Sequence, residues 1–163
     1  MVSPELLRRF TLFAGQSHYM LDEIAMLSSQ ISVADGDWIF RENEEATKFY
    51  IVLEGQIALT LYLFYNGTGR HLKTTSPLTK GELFGWSSVV KPHHYKMGAR
   101  AEADSDLLLI DGVGLRQLLD DNPEFGYEFY KQIAEEISDR LEFKLVQLLS
   151  LILEPEKKSE EKV

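Results

Sequence analysis

A glycine-rich turn followed by a tryptophan and two serines is the part of this sequence best suited to hold an anion. Residues 81–103 read GELFGWSSVVKPHHYKMGARAEA, a pattern of strand, tight turn, one short helical turn, loop and strand. Gly81 and Gly85 suit tight bends, and Ser87 and Ser88 fall near the N-terminus of the short helix. Backbone N–H groups and the helix dipole favour an anion at such a place. The stretch therefore predicts a small-anion site between strands.

The side chains expected around this anion are aromatic, hydroxylic or cationic. The candidate ligand-binding residues are Phe84, Gly85, Trp86, Ser87, Ser88, Tyr95 and Lys96. Trp86 either fills the pocket or stacks on a flat ligand or partner. The two serines either cap the short helix or contact the ligand. Lys96 is either a point counter-charge for the anion or a solvated surface lysine.

The adjacent pair His93 and His94 suggests a metal site, but its spacing is unfavourable. Neighbouring residues on a strand point to opposite faces, and His18 and His71 lie far away in the sequence. We therefore expect no metal. The sequence has no nucleophile–base constellation and no Walker-type loop, so we expect no enzymatic activity.

Short β-rich runs with turn signals occupy the middle of the chain. The runs are WIF, FYIVL, IALTLYLFY and LLLI, and the turns between them are DGD, EG, NGTG and KGE. This spacing predicts a sandwich or jelly roll. Ser3 before Pro4 predicts the start of a first helix, and residues 19–27 show a second helical pattern. Asn122 before Pro123 predicts the cap of a long C-terminal helix.

In order and spacing, these segments resemble the cyclic nucleotide-binding domain family. Residues 81–103 resemble its phosphate-binding cassette, residues 49–59 its signature strand pair around Gly55, and residues 106–141 its last strands and its B and C helices. Residues 6–15 and Gly36 match earlier family features. The resemblance implies a mainly β fold, a double-stranded β-helix (jelly roll or β-roll) with N-terminal helices and a long C-terminal helix.

The resemblance also implies the domain boundaries. One cyclic nucleotide-binding-like domain would span residues 1–153, with the β-roll at about 31–111 and the C-terminal helices at about 112–153. Residues 154–163, EPEKKSEEKV, form a charged segment for which we expect disorder.

Two positions depart from the family's cassette. The resemblance places Trp86 where the family has a glutamate for the ribose hydroxyl, and Tyr95, followed by Lys96, where it has an arginine for the cyclic phosphate. Indole can only donate a hydrogen bond, and tyrosine carries no positive charge. These departures argue against ordinary binding of cyclic AMP or cyclic GMP. No cofactor is certain, and the expected ligand is a cyclic nucleotide or another anionic small molecule.

The second half of the C-terminal helix is apolar on much of its circumference and needs a partner. It is predicted to extend beyond the β-roll. Since the family's C helices pair along a two-fold axis, the resemblance favours a homodimer through residues 137–153; packing on the N-terminal helices is the alternative. The predicted dimerisation residues are Ile137, Leu141, Leu145, Leu148 and Ile152.

Composition limits the function classes. The net charge of −9 opposes binding to nucleic acid, and no winged helix follows Leu153, so we expect no DNA binding by this chain. No apolar run approaches bilayer length, no signal peptide is evident and cysteine is absent. We expect a cytoplasmic protein that does not bind membranes.

Two functions remain open from the sequence. The first is a stand-alone regulatory domain that senses an anionic ligand at residues 85–88 and signals through its C-terminal helix. The second is a ligand-free dimeric interaction module whose pocket is filled by Trp86 and Tyr95.

Overall fold

The chain forms two four-stranded antiparallel sheets flanked by helices. The computed structural model describes residues 2–65, 67–73 and 76–153. Its helices are α1 (Pro4–Leu7), α2 (Thr11–Ala14), α3 (His18–Met26), α4 (Gly112–Asp121) and α5 (Pro123–Leu153). Its strands are β1 (Ser28–Val33), β2 (Trp38–Phe40), β3 (Lys48–Glu54), β4 (Ile57–Tyr65), β5 (Thr68–Lys73), β6 (Leu83–Phe84), β7 (Gly98–Ala101) and β8 (Ser105–Asp111).

The sheet order confirms the predicted β-roll. One sheet has the order β1-β8-β3-β6 and the other β2-β7-β4-β5. The last two residues of the NGTG signal, Thr68 and Gly69, begin β5, which pairs antiparallel with β4 from Lys73 opposite Thr60 to Thr68 opposite Tyr65. The first strand begins at Ser28 rather than near residue 31. The proposed tail at 154–163 lies outside the described residues.

Strand β3 explains why the sequence run FYIVL is apolar without alternation. Its side chains are buried on both faces of the sheet. Phe49 and Ile51 pack in the cluster beneath the helices, whereas Tyr50 and Val52 pack in the cluster between the two sheets. Because side chains alternate along a strand, one central strand joins both cores.

The N-terminal helices have the predicted caps. Ser3 accepts a hydrogen bond from the Leu6 amide at 3.2 Å, and Ser17 accepts one from the Met20 amide at 3.2 Å. Such side-chain oxygens satisfy backbone donors that a helix start leaves free. Helix α2 supplies Phe13, which stacks on Phe129 of α5 with ring centroids 6.4 Å apart.

Asn122 occupies the predicted N-cap position of α5, which begins at Pro123. Its backbone carbonyl accepts from the Gly126 amide at 2.9 Å, the first hydrogen bond of α5. Its side-chain amide donates to the Leu118 carbonyl at 2.9 Å and so closes the end of α4. The asparagine therefore joins the two helices.

The inward face of α5 is apolar in the first half of the helix and polar in the second half. Its first half buries Phe125, Phe129 and Ile133 in the core beneath the helices. After Ile133 the less exposed positions are polar: Glu136, Arg140, Lys144 and Gln147. Their spacing of four, four and three keeps them on one face of the helix.

The second half of α5 lies against the roll, contrary to our expectation that it extends beyond it. Arg140 donates to the Leu83 carbonyl at 2.9 Å, and Gln147 donates to the Ser76 hydroxyl at 3.4 Å. Its apolar side chains point outward, each between 39% and 59% exposed: Ile137, Leu141, Phe143, Leu145, Val146, Leu148 and Leu149. Among the described residues, no helix is long and apolar enough to cross a membrane.

Candidate functional site

The predicted turn forms where β6 ends. Gly85 has a φ of 77° and precedes a single turn of 3-10 helix, Trp86–Ser88. The Ser88 amide donates to the Gly85 carbonyl at 3.0 Å, and the Val89 amide donates to the Trp86 carbonyl at 2.9 Å. A Cβ at position 85 would lie 2.9 Å from Tyr50 Cδ2. Glycine is thus required both by the backbone conformation and by the space available.

Beside this turn lies a small cavity, which we call the cassette cavity. Its volume is about 60 Å³, and its lining residues are Phe40, Leu59, Phe84, Gly85, Trp86, Ser87, Tyr95, Lys96, Met97 and Arg140. Six of the seven predicted ligand-binding residues therefore lie around one space. Ligand pockets usually measure roughly 300–1,000 Å³, so the cavity in this conformation is too small for a nucleotide.

Ser88 is the predicted residue that the structure does not bring to the cavity. Its side chain is fully buried and faces α4, since a Cβ at Gly112 would lie 2.6 Å from Ser88 Cβ. Its Oγ has no hydrogen-bond partner among the described residues. Its carbonyl accepts a hydrogen bond from Arg116 of α4. Ser88 therefore connects the turn to a helix.

Tyr95 belongs to the aromatic floor of the cavity. Its ring stacks on Phe40 with centroids 3.6 Å apart and an interplanar angle of 10°. Its hydroxyl donates to the Lys48 carbonyl at 2.8 Å and accepts from the Lys48 amide at 3.2 Å. Burial raises the pKa of Tyr95, so the phenol stays neutral and supplies no charge to an anion.

Trp86 and Lys96 occupy different parts of the cavity wall. Trp86 is half-buried and packs against the core beneath the helices. Lys96 is exposed at the edge of the cavity. An exposed ammonium retains its hydration and acts on an anion only as a point charge, which makes Lys96 a weak replacement for a buried arginine.

Arg140 of α5 is the cavity residue that sequence reasoning missed. Its Cζ lies 4.7 Å from the centroid of the Trp86 ring, a cation–π distance. Its Nη2 donates to the Leu83 carbonyl at 2.9 Å and to Glu136 Oε1 at 2.5 Å. The polar spacing of residues 136, 140, 144 and 147 was the available signal, but the apolar stripe of the same helix concealed it.

One nitrogen of this guanidinium is left without a partner. Nη1 is buried and has no hydrogen-bond acceptor among the described residues. The whole side chain is only 14% exposed. A buried donor without an acceptor costs about 1–3 kcal/mol, so an acceptor supplied from the cavity would be favourable.

The turn is also fastened to the helices at its far end. Tyr130 of α5 donates to the Val89 carbonyl at 3.2 Å, and Arg116 of α4 donates to the Ser88 carbonyl. Together with Arg140, these contacts connect the turn to both C-terminal helices.

The two histidines do not form a chelate. His93 Nδ1 lies 3.3 Å from the Ser87 carbonyl, and His94 Nδ1 lies 3.1 Å from the Pro92 carbonyl. Within the described part of the chain, no group of three or more ligating side chains could hold a metal ion. Arg100 donates to the Gly36 carbonyl at 2.7 Å.

Comparison with known proteins identifies the fold and the family. The sequence profile of the cyclic nucleotide-binding domain matches residues 30–122. A solved protein from Geobacter metallireducens, named as a cyclic nucleotide-binding protein, is 33% identical, with 86% of this chain and 99% of that chain covered and a TM-score of 0.74. The sensor domain of the transcriptional regulator DNR from Pseudomonas aeruginosa shares the fold at 21% identity, with 85% and 90% covered and a TM-score of 0.66.

A sequence relative comes from a longer protein. It is named as a potassium channel protein of Rhodopseudomonas palustris and is 27% identical over 134 residues, or 82% of this chain. The chain spans about a third of the length of this relative, since 31% of it is covered. The profile match, the Geobacter metallireducens structure and the β-roll with its cassette turn agree: the chain belongs to the cyclic nucleotide-binding domain family.

Proposed function

We propose that this chain is a cytoplasmic regulatory domain that binds a nucleotide-like or other anionic small ligand at residues 85–88 and signals through α5. The observation that carries the proposal is the direct contact between turn and helix. Cζ of Arg140 in α5 lies 4.7 Å from the centroid of the Trp86 ring, and its Nη2 donates to the Leu83 carbonyl at 2.9 Å. Any ligand that enters beside the turn must therefore meet the helix.

The volume of the cassette cavity supports a coupled movement. At about 60 Å³ the cavity is closed to a nucleotide, and α5 lies across it. The ligand would bind a conformation in which the second half of α5 has moved away from the turn. A ligand that binds one conformation better than another shifts the population toward it, and this shift would be the signal.

The outward face of α5 supports a homodimer as the output of the signal. Leu141, Leu145 and Leu148 are each more than half exposed, which is unusual for a continuous apolar stripe on a helix of a monomer. We propose that this stripe pairs with a second copy, along residues 137–153. The position of the predicted contact Ile152 lies in α5, but its side chain is outside the described residues.

The relatives support a regulatory role rather than a catalytic one. One is the sensor domain of a transcriptional regulator, and another is named as a potassium channel protein. One of these proteins is named for the regulation of transcription and the other for the conduction of potassium ions. We therefore propose that this chain likewise controls an activity and does not itself catalyse a reaction.

One observation favours the alternative of a ligand-free dimeric module. Phe40, Tyr50, Phe84 and Tyr95 pack ring against ring in the core between the sheets, and Trp86 lines the remaining space. If this packing is permanent, the pocket has been filled by the chain's own side chains, and the exposed stripe of α5 is the functional surface.

Thermal unfolding with added ligands decides between the two functions. Cyclic AMP, cyclic GMP and other nucleotides would be added singly. A ligand at 100 times its Kd stabilises by about 2.7 kcal/mol, which raises Tm by roughly 5–10 °C for a domain of this size. A rise with one of them supports the sensor; the absence of a shift with all of them supports the filled pocket.

The Ser87→Asp variant tests where the ligand sits. Ser87 lines the cassette cavity, and a carboxylate there would repel an anion. We expect the variant to keep the wild-type Tm without ligand and to lose the ligand-induced rise, as measured by thermal unfolding. Retention of the full rise would place the site elsewhere.

A further inference from the structure

The cations around the cassette cavity are anomalous for this chain. The net charge is −9, yet Lys96 and Arg140 both line the cavity. In an acidic protein, two cations that line one small cavity indicate a site for negative charge.

The two terminal nitrogens of the Arg140 guanidinium differ in their hydrogen bonds. Nη2 holds both the Leu83 carbonyl and Glu136. Nη1 is buried, and none of the described residues supplies it with an acceptor. Arginine is the side chain best shaped to donate two parallel hydrogen bonds to an oxyanion. The present arrangement uses only one side of that fork.

The position of Arg140 also closes the cavity. Its guanidinium lies over the Trp86 ring and bridges from α5 to Leu83, the first residue of β6. Tyr95, which stands where the family's arginine is expected, is neutral and bonded to the Lys48 backbone. The cassette itself therefore supplies no buried cation, and the helix supplies one instead.

We propose that Arg140 is both the latch that holds α5 on the cassette turn and the residue that recognises the ligand's oxyanion. The ligand class is a small molecule that carries a phosphate or carboxylate group. On binding, the oxyanion takes Nη1 and competes with the Leu83 carbonyl for the guanidinium, so that α5 is released from the turn. This inference rests on the proposed ligand site and assigns its charge recognition to the C-terminal helix.

The latch is tested without any ligand by hydrogen–deuterium exchange. Arg140→Gln removes the charge but keeps a polar side chain of similar reach. We expect exchange across residues 83–90 to increase about tenfold or more, while Lys144→Gln leaves it unchanged. Equal exchange in wild type and Arg140→Gln would overturn the latch. The exchange of the α1–α3 amides serves as the control for folding.

Recognition is tested by titration of wild type, Arg140→Gln and Arg140→Lys with cyclic AMP, cyclic GMP and inorganic phosphate. We expect Arg140→Gln to weaken the binding of whichever probe binds wild type by at least about 30-fold. Arg140→Lys should recover part of the affinity, because it restores the charge without the fork. Binding of inorganic phosphate alone would identify the oxyanion as the recognised group.

The outcomes separate the inference from the function on which it rests. Equal affinity of wild type and Arg140→Gln for a bound probe would overturn recognition by Arg140 and leave the sensor function in place. If wild type binds none of the three probes, both the sensor function for these ligands and the recognition role fall. The exchange experiment then decides the latch on its own.

Discussion

Leu145→Glu should dissociate the proposed dimer, because this residue lies within the exposed apolar stripe of α5. Leu141, Leu145 and Leu148 fall within about 60° of one another on a helix of 3.6 residues per turn. Leu145 is 51% exposed in the single chain, so a dimer can bury the remaining half of its side chain. The substitution places a carboxylate at this position in both copies.

The magnitude follows from that exposed half. Full burial of a leucine stabilises by about 1.5–3 kcal/mol, so half of it gives about 1 kcal/mol per copy and about 2 kcal/mol per dimer. This loss weakens dimerisation by about 30-fold. Two carboxylates removed from water add a further cost, so about 30-fold is the smallest change expected.

Light scattering after size exclusion measures the result. Wild type should have a mass of about 37 kDa, twice the 18.7 kDa of one chain, and Leu145→Glu should have the mass of one chain. Val146→Glu is the matched control, because Val146 is 59% exposed but lies about 100° or more around the helix from the three leucines. A monomeric wild type, or an unchanged mass for Leu145→Glu, would refute the reasoning.

Two further predictions concern stability and are read from Tm. Asp111 accepts from the Gly114 amide and from Lys48, whose hydrogen bond lowers the pKa of Asp111. The stabilisation of the folded state by ionised Asp111 is therefore complete above the pKa of about 4 that an aspartate has in the unfolded chain, and it is lost as pH falls through the lower pKa of the folded state. Asp111→Ala should lower Tm by about 2–4 °C at pH 7 for about 1 kcal/mol, and an equal deficit at pH 3 would contradict this. Gly85→Ala should lower Tm more than Gly67→Ala does. Both glycines have a φ of 77°, but of the two positions only 85 has other atoms within 4 Å of an added Cβ. Equal losses of Tm would show that crowding at the turn is unimportant.

The cassette turn could be predicted from the sequence because its signals are local. Gly85 is needed for a left-handed backbone, and the apolar runs on either side of the turn predict strands. The long central run FYIVL was also interpretable, since β3 is buried on both faces. In each case a few adjacent residues determine the conformation.

The closure of the cavity could not be predicted, because it depends on which face of α5 lies inward. The stripe from Ile137 to Leu148 was interpreted as a dimer contact on a helix that extends beyond the roll, so no polar residue of this half was assigned to the cavity. The structure places Arg140 inside and the leucines outside. This half of α5 therefore packs on the roll with a polar face, whereas helices usually turn their apolar face inward.

The position of Asn122 at the start of α5 was predicted, but its side-chain bond to α4 was not. An asparagine before a proline is typical of a helix cap, but the neighbouring end of α4 competes for the same side chain. The Leu118 carbonyl receives the amide, since two helices that meet within two residues leave both donors and acceptors to satisfy. Local pattern alone does not decide between such partners.

If a ligand in the cassette cavity moves the second half of α5, the distance between the roll and this helix must change when the ligand binds. The chain has no cysteine, so spin labels can be attached at Lys80→Cys and Ser138→Cys, both at exposed positions, in a chain diluted with unlabelled protein. We predict that the label separation changes with the nucleotide that raises Tm, and that Ser87→Asp abolishes the change. An unchanged separation under saturating ligand, or the absence of binding by every nucleotide tested, would contradict the account.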